Sequence, residues 1–234
     1  MAEDLAAAGS DDIVLLHGCC HNPSGADLTP EQWREIASMA AKQGFTPMVD
    51  LAYQGFGEGL ETDVYGLRTL IEQVPEVVIA ASLSKNMGLY RERTGLAIFV
   101  GPDSRTAEAT VSQAKAAARR IYSMPPAHGA LLAGRVLGDP ILRADWEAEL
   151  TAMCARINGL RSEFQRRLEE ATGRDFGFIA KEKGMFSFLG LTEDQARSVR
   201  SERGLYMLNS SRINIASLNA KNMDRVVAAV ASVL

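Results

Sequence analysis

The chain predicts an α/β fold with a mostly parallel sheet, followed by a smaller α+β region. Short apolar runs alternate with helical patterns through the first half, and Gly, Pro or Asn residues punctuate the switches. After Leu142 the pattern changes to one long amphipathic stretch, then to short strands and helices. The chain has 234 residues, enough for one large domain or two small ones, and its apolar fraction of 47% supports a sizeable core.

Ile13 to Leu16 reads as the first strand, followed by the turn signals His21-Asn-Pro-Ser-Gly25. A helix is expected from Thr29, with Thr29 as N-cap, Pro30 at the first helical position and Gln32 three residues on. Trp33, Ile36, Ala37 and Ala40 form its apolar stripe, and Gly44 closes it. A strand over Thr46–Val49, a short helix over 65–73, and strands over Val77–Ala81 and Gly95–Val100 complete the first half. From Leu142 to about Glu170 a long helix is expected to bury Trp146, Leu150, Met153, Ile157, Leu160, Phe164 and Leu168. Beyond it, Met185–Leu189, Gly204–Met207 and Arg212–Ile215 read as strands, with helices from Thr192 and Asn219. The domain boundary is expected inside the long helix, giving 1–150 and 151–234.

A net charge of −4, with basic residues scattered, argues against a nucleic-acid partner. No apolar run approaches the roughly 20 residues that span a bilayer, so no membrane partner is expected. The N-terminus lacks the basic start and apolar middle of a signal peptide. Cys19, Cys20 and Cys154 make a poor disulfide framework, and a reducing cytoplasm is the simplest reading. His17, Cys19, Cys20 and His21 have the wrong spacing for structural zinc, so no metal is expected.

The chemistry concentrates at two strand exits. Lys85 follows Val77–Ala81 in Ser-Leu-Ser-Lys-Asn, and Asp50 ends the preceding apolar run. Strand exits are where α/β sheets place their chemistry. An amine and a carboxylate there suggest a cofactor held covalently by Lys85 and tuned electronically by Asp50. Ser82 and Ser84 flank the lysine and Arg93 follows, a set of hydroxyls and guanidinium suited to a phosphate. Tyr53 and Asn22 could donate to a ring oxygen. Taken singly, Lys85 reads as a solvated lysine, Asp50 as a turn cap, and Arg119 and Arg212 as surface residues. Their combination is the specific signal.

The stretches His17-Gly-Cys-Cys-His-Asn-Pro-Ser-Gly25, Asp50-Leu-Ala-Tyr-Gln-Gly-Phe56, Ser82-Leu-Ser-Lys-Asn86, Tyr90-Arg-Glu-Arg-Thr-Gly95, Tyr122-Ser-Met-Pro-Pro-Ala-His-Gly129, Gly184-Met-Phe-Ser-Phe188 and Ser211-Arg-Ile-Asn214 run in one order along the chain. Together they resemble the class I pyridoxal-phosphate aminotransferases of the aspartate/aromatic amino-acid group. The resemblance implies a fold type I pyridoxal-phosphate transferase: the second half of its large domain over 1–150, and its C-terminal small domain over 151–234. It implies pyridoxal 5'-phosphate bound to Lys85 as a Schiff base, with Lys85 as the catalytic base. Asp50 would pair with the ring nitrogen, Tyr53 and Asn22 with the ring oxygen, and Ser82 and Arg93 with the phosphate. Arg212 would grip the substrate α-carboxylate beside Phe186, and Arg119 would reach a neighbouring subunit's site to recognise a side-chain carboxylate. Amino-acid and 2-oxo-acid substrates, a homodimer and a cis Asn22–Pro23 bond are further implications.

The chain departs from that family in lacking the Gly-rich phosphate turn, the aromatic that stacks on the cofactor ring, and the tyrosine lent by the partner subunit. It therefore reads as a truncated member. Asn209-Ser-Ser211 also replaces a more usual glycine-containing turn. Two alternatives stand beside transamination: a non-catalytic interaction module, and another pyridoxal-phosphate reaction such as β-elimination or decarboxylation.

Overall fold

Residues 2–234 are described by a computed structural model. Its helices start where local chemistry dictates. Thr29 caps α2 (Pro30–Gln43) by accepting the Gln32 N–H, and the Gln32 side chain returns a bond to the Thr29 N–H. Gly44, at φ 87°, ends that helix in the left-handed conformation that glycine adopts without a Cβ penalty. Thr192 and Gln195 build the same reciprocal pair at the start of α8 (Glu193–Arg203).

The chain forms two compact units. One comprises Met1–Cys19, Leu28–Gln54 and Leu60–Glu149; the other comprises Cys20–Asp27, Gly55–Gly59 and Leu150–Leu234. In the first, β1 (Ile13–His17), β2 (Thr46–Leu51), β3 (Val77–Ser82) and β4 (Gly95–Val100) form a sheet in that order. The first three strands are parallel and β4 is antiparallel to β3, so the sheet is mixed but mostly parallel. Alternation divides the sheet into unlike faces. Leu16, Val49, Leu51, Val77 and Ile79 are buried on one, while Asp50 and Ala80 on the other are partly open and Ile13 and Leu15 are exposed. α2 packs on α3 (Tyr65–Gln73) so closely that a Cβ on Gly66 would collide with the Trp33 indole.

Besides α1 (Ala2–Ala6), the first unit contains α4 (Ser104–Tyr122), α5 (His128–Gly138) and the start of α6 (Pro140–Thr172). The sequence reading did not foresee α4 and α5. None of α4's residues is buried, so its alanine-rich sequence has no fully covered apolar face to announce it.

In the second unit α6 is joined by α7 (Gly177–Lys181), α8, α9 (Met223–Ala231) and an antiparallel pair, β5 (Phe186–Phe188) and β6 (Arg212–Asn214). Three expectations are corrected here. The buried stripe of α6 contains Cys154 and Arg161, whereas Trp146, Met153 and Leu160 are half-buried. No strand forms over 204–207; the Met207 carbonyl accepts from Arg200 Nη2 (2.9 Å) instead of from a strand partner. The last helix starts at Met223 rather than Asn219. Asn219 N–H bonds to Asn222 Oδ1 (2.8 Å) and Asn219 Oδ1 accepts the Lys221 N–H (2.9 Å), side-chain bonds that compete with helical ones. No helix among the described residues is long and apolar enough to cross a membrane.

Candidate active site

The first group of candidate residues is assembled by strand register. Asp50 on β2 stands opposite His17 on β1 and Ala80 on β3. Because β2 and β3 are parallel, both chains leave the sheet at the same edge, the usual place for ligands in such sheets. Asp50, Ala80 and Ser82 share the more open face, since side chains alternate along a strand. Alanine opposite the carboxylate leaves that face uncrowded.

Beyond β3 the chain tightens around Lys85. Ser82 Oγ accepts the Ser84 N–H (3.2 Å) and bonds to Ser84 Oγ (3.0 Å). Gly88 N–H bonds to the Lys85 carbonyl (3.3 Å). The neighbouring Asn86 fixes this turn from both sides. Its Nδ2 donates to the Gln54 carbonyl (3.2 Å), and its own carbonyl accepts from Trp146 Nε1 (2.8 Å). The Gln54 bond ties the lysine turn to Tyr53, and Lys85 Nζ lies 5.0 Å from the Tyr53 ring centroid, within cation–π range. Asn86 Oδ1 is buried with no hydrogen-bond partner among the described residues, a departure from full polar pairing that leaves a lone acceptor next to the lysine. Arg93 is exposed, at φ 52°, and its Nη1 donates to the Tyr90 carbonyl (2.9 Å). A bulky residue at positive φ is uncommon, and such backbone is concentrated at functional sites. Arg119 is exposed in the last turn of α4.

The second group lies in the other unit. Arg212 opens β6, opposite Phe188 on β5. Its guanidinium carbon sits 4.6 Å from the Phe186 ring centroid, and its Nη1 donates to Asn22 Oδ1 (3.4 Å). Phe186, Arg212 and Asn214 line an open cleft of about 760 Å³ with Arg200 and residues 206–209. The Asn22–Pro23 bond is cis. Ser211, immediately before the arginine, holds φ 62° and is buried.

The structure thus groups Lys85, Tyr53, Asp50 and Ser82 in one unit, and Arg212, Phe186 and Asn22 in the other. Sequence reasoning did not single out Asn86 and read Trp146 only as part of an apolar stripe; their hydrogen bonds run to backbone carbonyls far away in the chain. It also missed Arg161, although its spacing of seven from both Cys154 and Leu168 places it on their line.

With this geometry in place, comparison identifies the lineage. The profile of the aminotransferase class I and II family matches residues 1–230. The chain belongs to this family. An aromatic-amino-acid aminotransferase of Paracoccus denitrificans is 49% identical over the whole chain, and the aspartate aminotransferase of Escherichia coli is 46% identical. The chain spans 59% of the length of each of these relatives. Among solved structures, an aromatic amino acid aminotransferase with 3-indolebutyric acid superposes with a TM-score of 0.97 at 49% identity. The Burkholderia pseudomallei aromatic-amino-acid aminotransferase, covalently bound to pyridoxal phosphate, also gives 0.97, at 40% identity. Each match covers all of this chain and 59% of the other family member.

Proposed function

We propose that this chain serves transamination between an amino acid, aspartate or an aromatic one, and a 2-oxo acid such as 2-oxoglutarate, with pyridoxal 5'-phosphate held at Lys85. One observation carries the reading: Lys85 Nζ is poised over Tyr53 at the sheet edge where the Asp50 strand also exits. The donor set fits the cofactor, offering an amine for its aldehyde, an acid for its ring nitrogen and hydroxyls for its phosphate. The names of the relatives, covering aspartate and aromatic substrates alike, support the substrate range.

When bound, pyridoxal phosphate supplies an electron-poor ring that stabilises negative charge at a substrate α-carbon. Asp50 would accept the ring N–H and so keep that nitrogen protonated. Tyr53 and Asn22 would donate to the ring oxygen, and Ser82 and Arg93 would bind the phosphate. Lys85 would hold the cofactor between turnovers, and its Nζ would take and return the substrate α-proton. Arg212 would grip the α-carboxylate with its planar fork, the geometry for which arginine is suited, while Phe186 packs against it. Arg119 would select dicarboxylic substrates from a neighbouring subunit; this role rests on the family resemblance. A cytoplasmic homodimer accompanies the reading.

Incubation with pyridoxal phosphate is the first test. An absorbance band distinct from the free cofactor, lost in Lys85→Ala, is expected; no band would turn the reading toward the non-catalytic module. Assays with aspartate and phenylalanine then test Arg119. Selective loss of the aspartate reaction in Arg119→Ala is expected, and equal loss of both would remove Arg119 from substrate selection.

A further inference from the structure

The core stripe of α6 contains an arginine where its period calls for an apolar side chain. Arg161 is 1% exposed. Its Nε donates to the Gly184 carbonyl (3.0 Å), and Nη1 donates to the Ile179 carbonyl (2.9 Å) and Ser187 Oγ (2.8 Å). Nη2 donates to the carbonyls of Lys183 (3.0 Å), Gly184 (2.8 Å) and Phe186 (2.5 Å). Glu182 supplies a counter-charge 3.5 Å from Nη1 and also accepts from the Ser187 hydroxyl. Replacing a buried ion pair by apolar residues is often neutral or stabilising, so stability alone does not account for a guanidinium here. Its geometric effect is more specific: one rigid fork organises the carbonyls of residues 179–186.

That segment carries Phe186, against which Arg212 stacks. The turn bearing Asn22 is tied to the same place. The Gly25 carbonyl accepts the Lys183 N–H (2.8 Å). A Cβ on Gly25 would lie 2.5 Å from the Phe186 carbonyl and 3.1 Å from Arg161 Nη2, so only glycine, at φ 79°, allows the turn to sit this close. Asn22, at the other end of that turn, accepts from Arg212. Both neighbours of the Arg212 guanidinium therefore trace back to Arg161.

We propose that Arg161 is a positioning residue for carboxylate recognition. By holding the Phe186 carbonyl and the Gly25 turn, it sets the orientation in which Arg212 presents its fork to an α-carboxylate. The inference rests on the transaminase reading for its ligand, but not for its geometry.

The test pairs Arg161→Lys, which keeps the charge and loses the fork, with Ser187→Ala, which removes one acceptor and remains informative if the first variant does not fold. Binding of 2-oxoglutarate by calorimetry is expected to weaken about tenfold in Arg161→Lys, less than the roughly hundredfold that a 1 Å misplacement can cost in rate, and in the same direction but less in Ser187→Ala. The Lys85-dependent pyridoxal phosphate band is expected to persist. Hydrogen exchange is expected to accelerate at the amides of Lys183 and Ile215, which bond to Gly25 and Met185, while that of Val226 in α9 holds. Unchanged affinity and exchange in a folded Arg161→Lys chain would overturn the proposal. So would a uniform loss of protection across α6, α8 and α9 in either variant, which would make Arg161 general core material. If the wild-type chain binds no 2-oxoglutarate, the transaminase reading fails, and the exchange pattern alone decides whether Arg161 positions Phe186 and Arg212.

Discussion

Ile13, Leu15, Leu96, Ile98, Leu131 and Ile141 are exposed in the sheet-bearing unit, whereas Phe164, Leu168, Ile179, Ile215 and Val230 in the C-terminal unit are fully covered. The first unit holds the lysine and aspartate on the half-open face of a sheet, and its α4 buries none of its residues. The second accommodates a charged guanidinium among its covered apolar side chains, and leaves Tyr206 and Leu208 exposed. The contrast separates two ways of building a functional group. In one, strand exits carry the side chains proposed to hold the cofactor, on a sheet whose apolar residues are only partly covered. In the other, the arginine proposed to grip a carboxylate stands beside a segment held from within the core by Arg161.

The contrast can be broken most directly by truncating one apolar side chain in each unit. Phe164→Ala is expected to lower stability by about 3–5 kcal/mol, the range for emptying a buried phenylalanine site. Leu131→Ala is expected to fall within about 0.5 kcal/mol of wild type. Urea titrations measure both, and comparable losses would erase the distinction. The shared capping device offers a control that ignores the contrast. Thr29→Ala and Thr192→Ala should each cost about 1 kcal/mol, because each removes the acceptor for one helix-start N–H; a loss confined to one unit would show that packing outweighs the cap.

Ser211→Gly probes the second unit's own strain. Its φ of 62° is unfavourable for any residue with a Cβ, so glycine should gain about 0.5–1 kcal/mol. That corresponds to a rise in Tm of roughly 2–4 °C per kcal/mol for a chain of this size. A fall in Tm would mean that the buried serine contributes more than its backbone loses.

The smallest expected effect is a pH slope. Burial pushes the Glu182 carboxyl up, against the opposing influence of the Ser187 hydroxyl and Arg161. A carboxyl raised in the folded state adds stability that is complete below its unfolded pKa and lost as pH rises through the folded one. Glu182→Gln should flatten the stability curve from the ordinary carboxylate range upward. An unchanged slope would assign the acid-range dependence to other groups.

Legibility in the sequence followed the range of the interactions. α2 was readable to the residue because Thr29, Pro30, Gln32 and Gly44 act within one turn of its ends. The strands β1 to β4 were readable because each is a short run with turn residues beside it. The lysine and aspartate were readable as candidates because both stand at strand exits. What escaped was set by distant partners: Arg200 capturing the carbonyl of Met207, the asparagine bonds that delay α9, and the rotation of α6 that buries Arg161 rather than Leu160. A pattern of apolar residues cannot announce a buried arginine whose acceptors are main-chain carbonyls more than a dozen positions later.

The indole of Trp146 is bonded to the carbonyl of Asn86, one residue from the candidate lysine. A fluorophore is therefore already installed beside the position where a coloured cofactor would attach. Its emission overlaps the absorption of a lysine-bound pyridoxal group, so occupancy should dim it through energy transfer. Loading of this protein could be followed by its own light, with no label added.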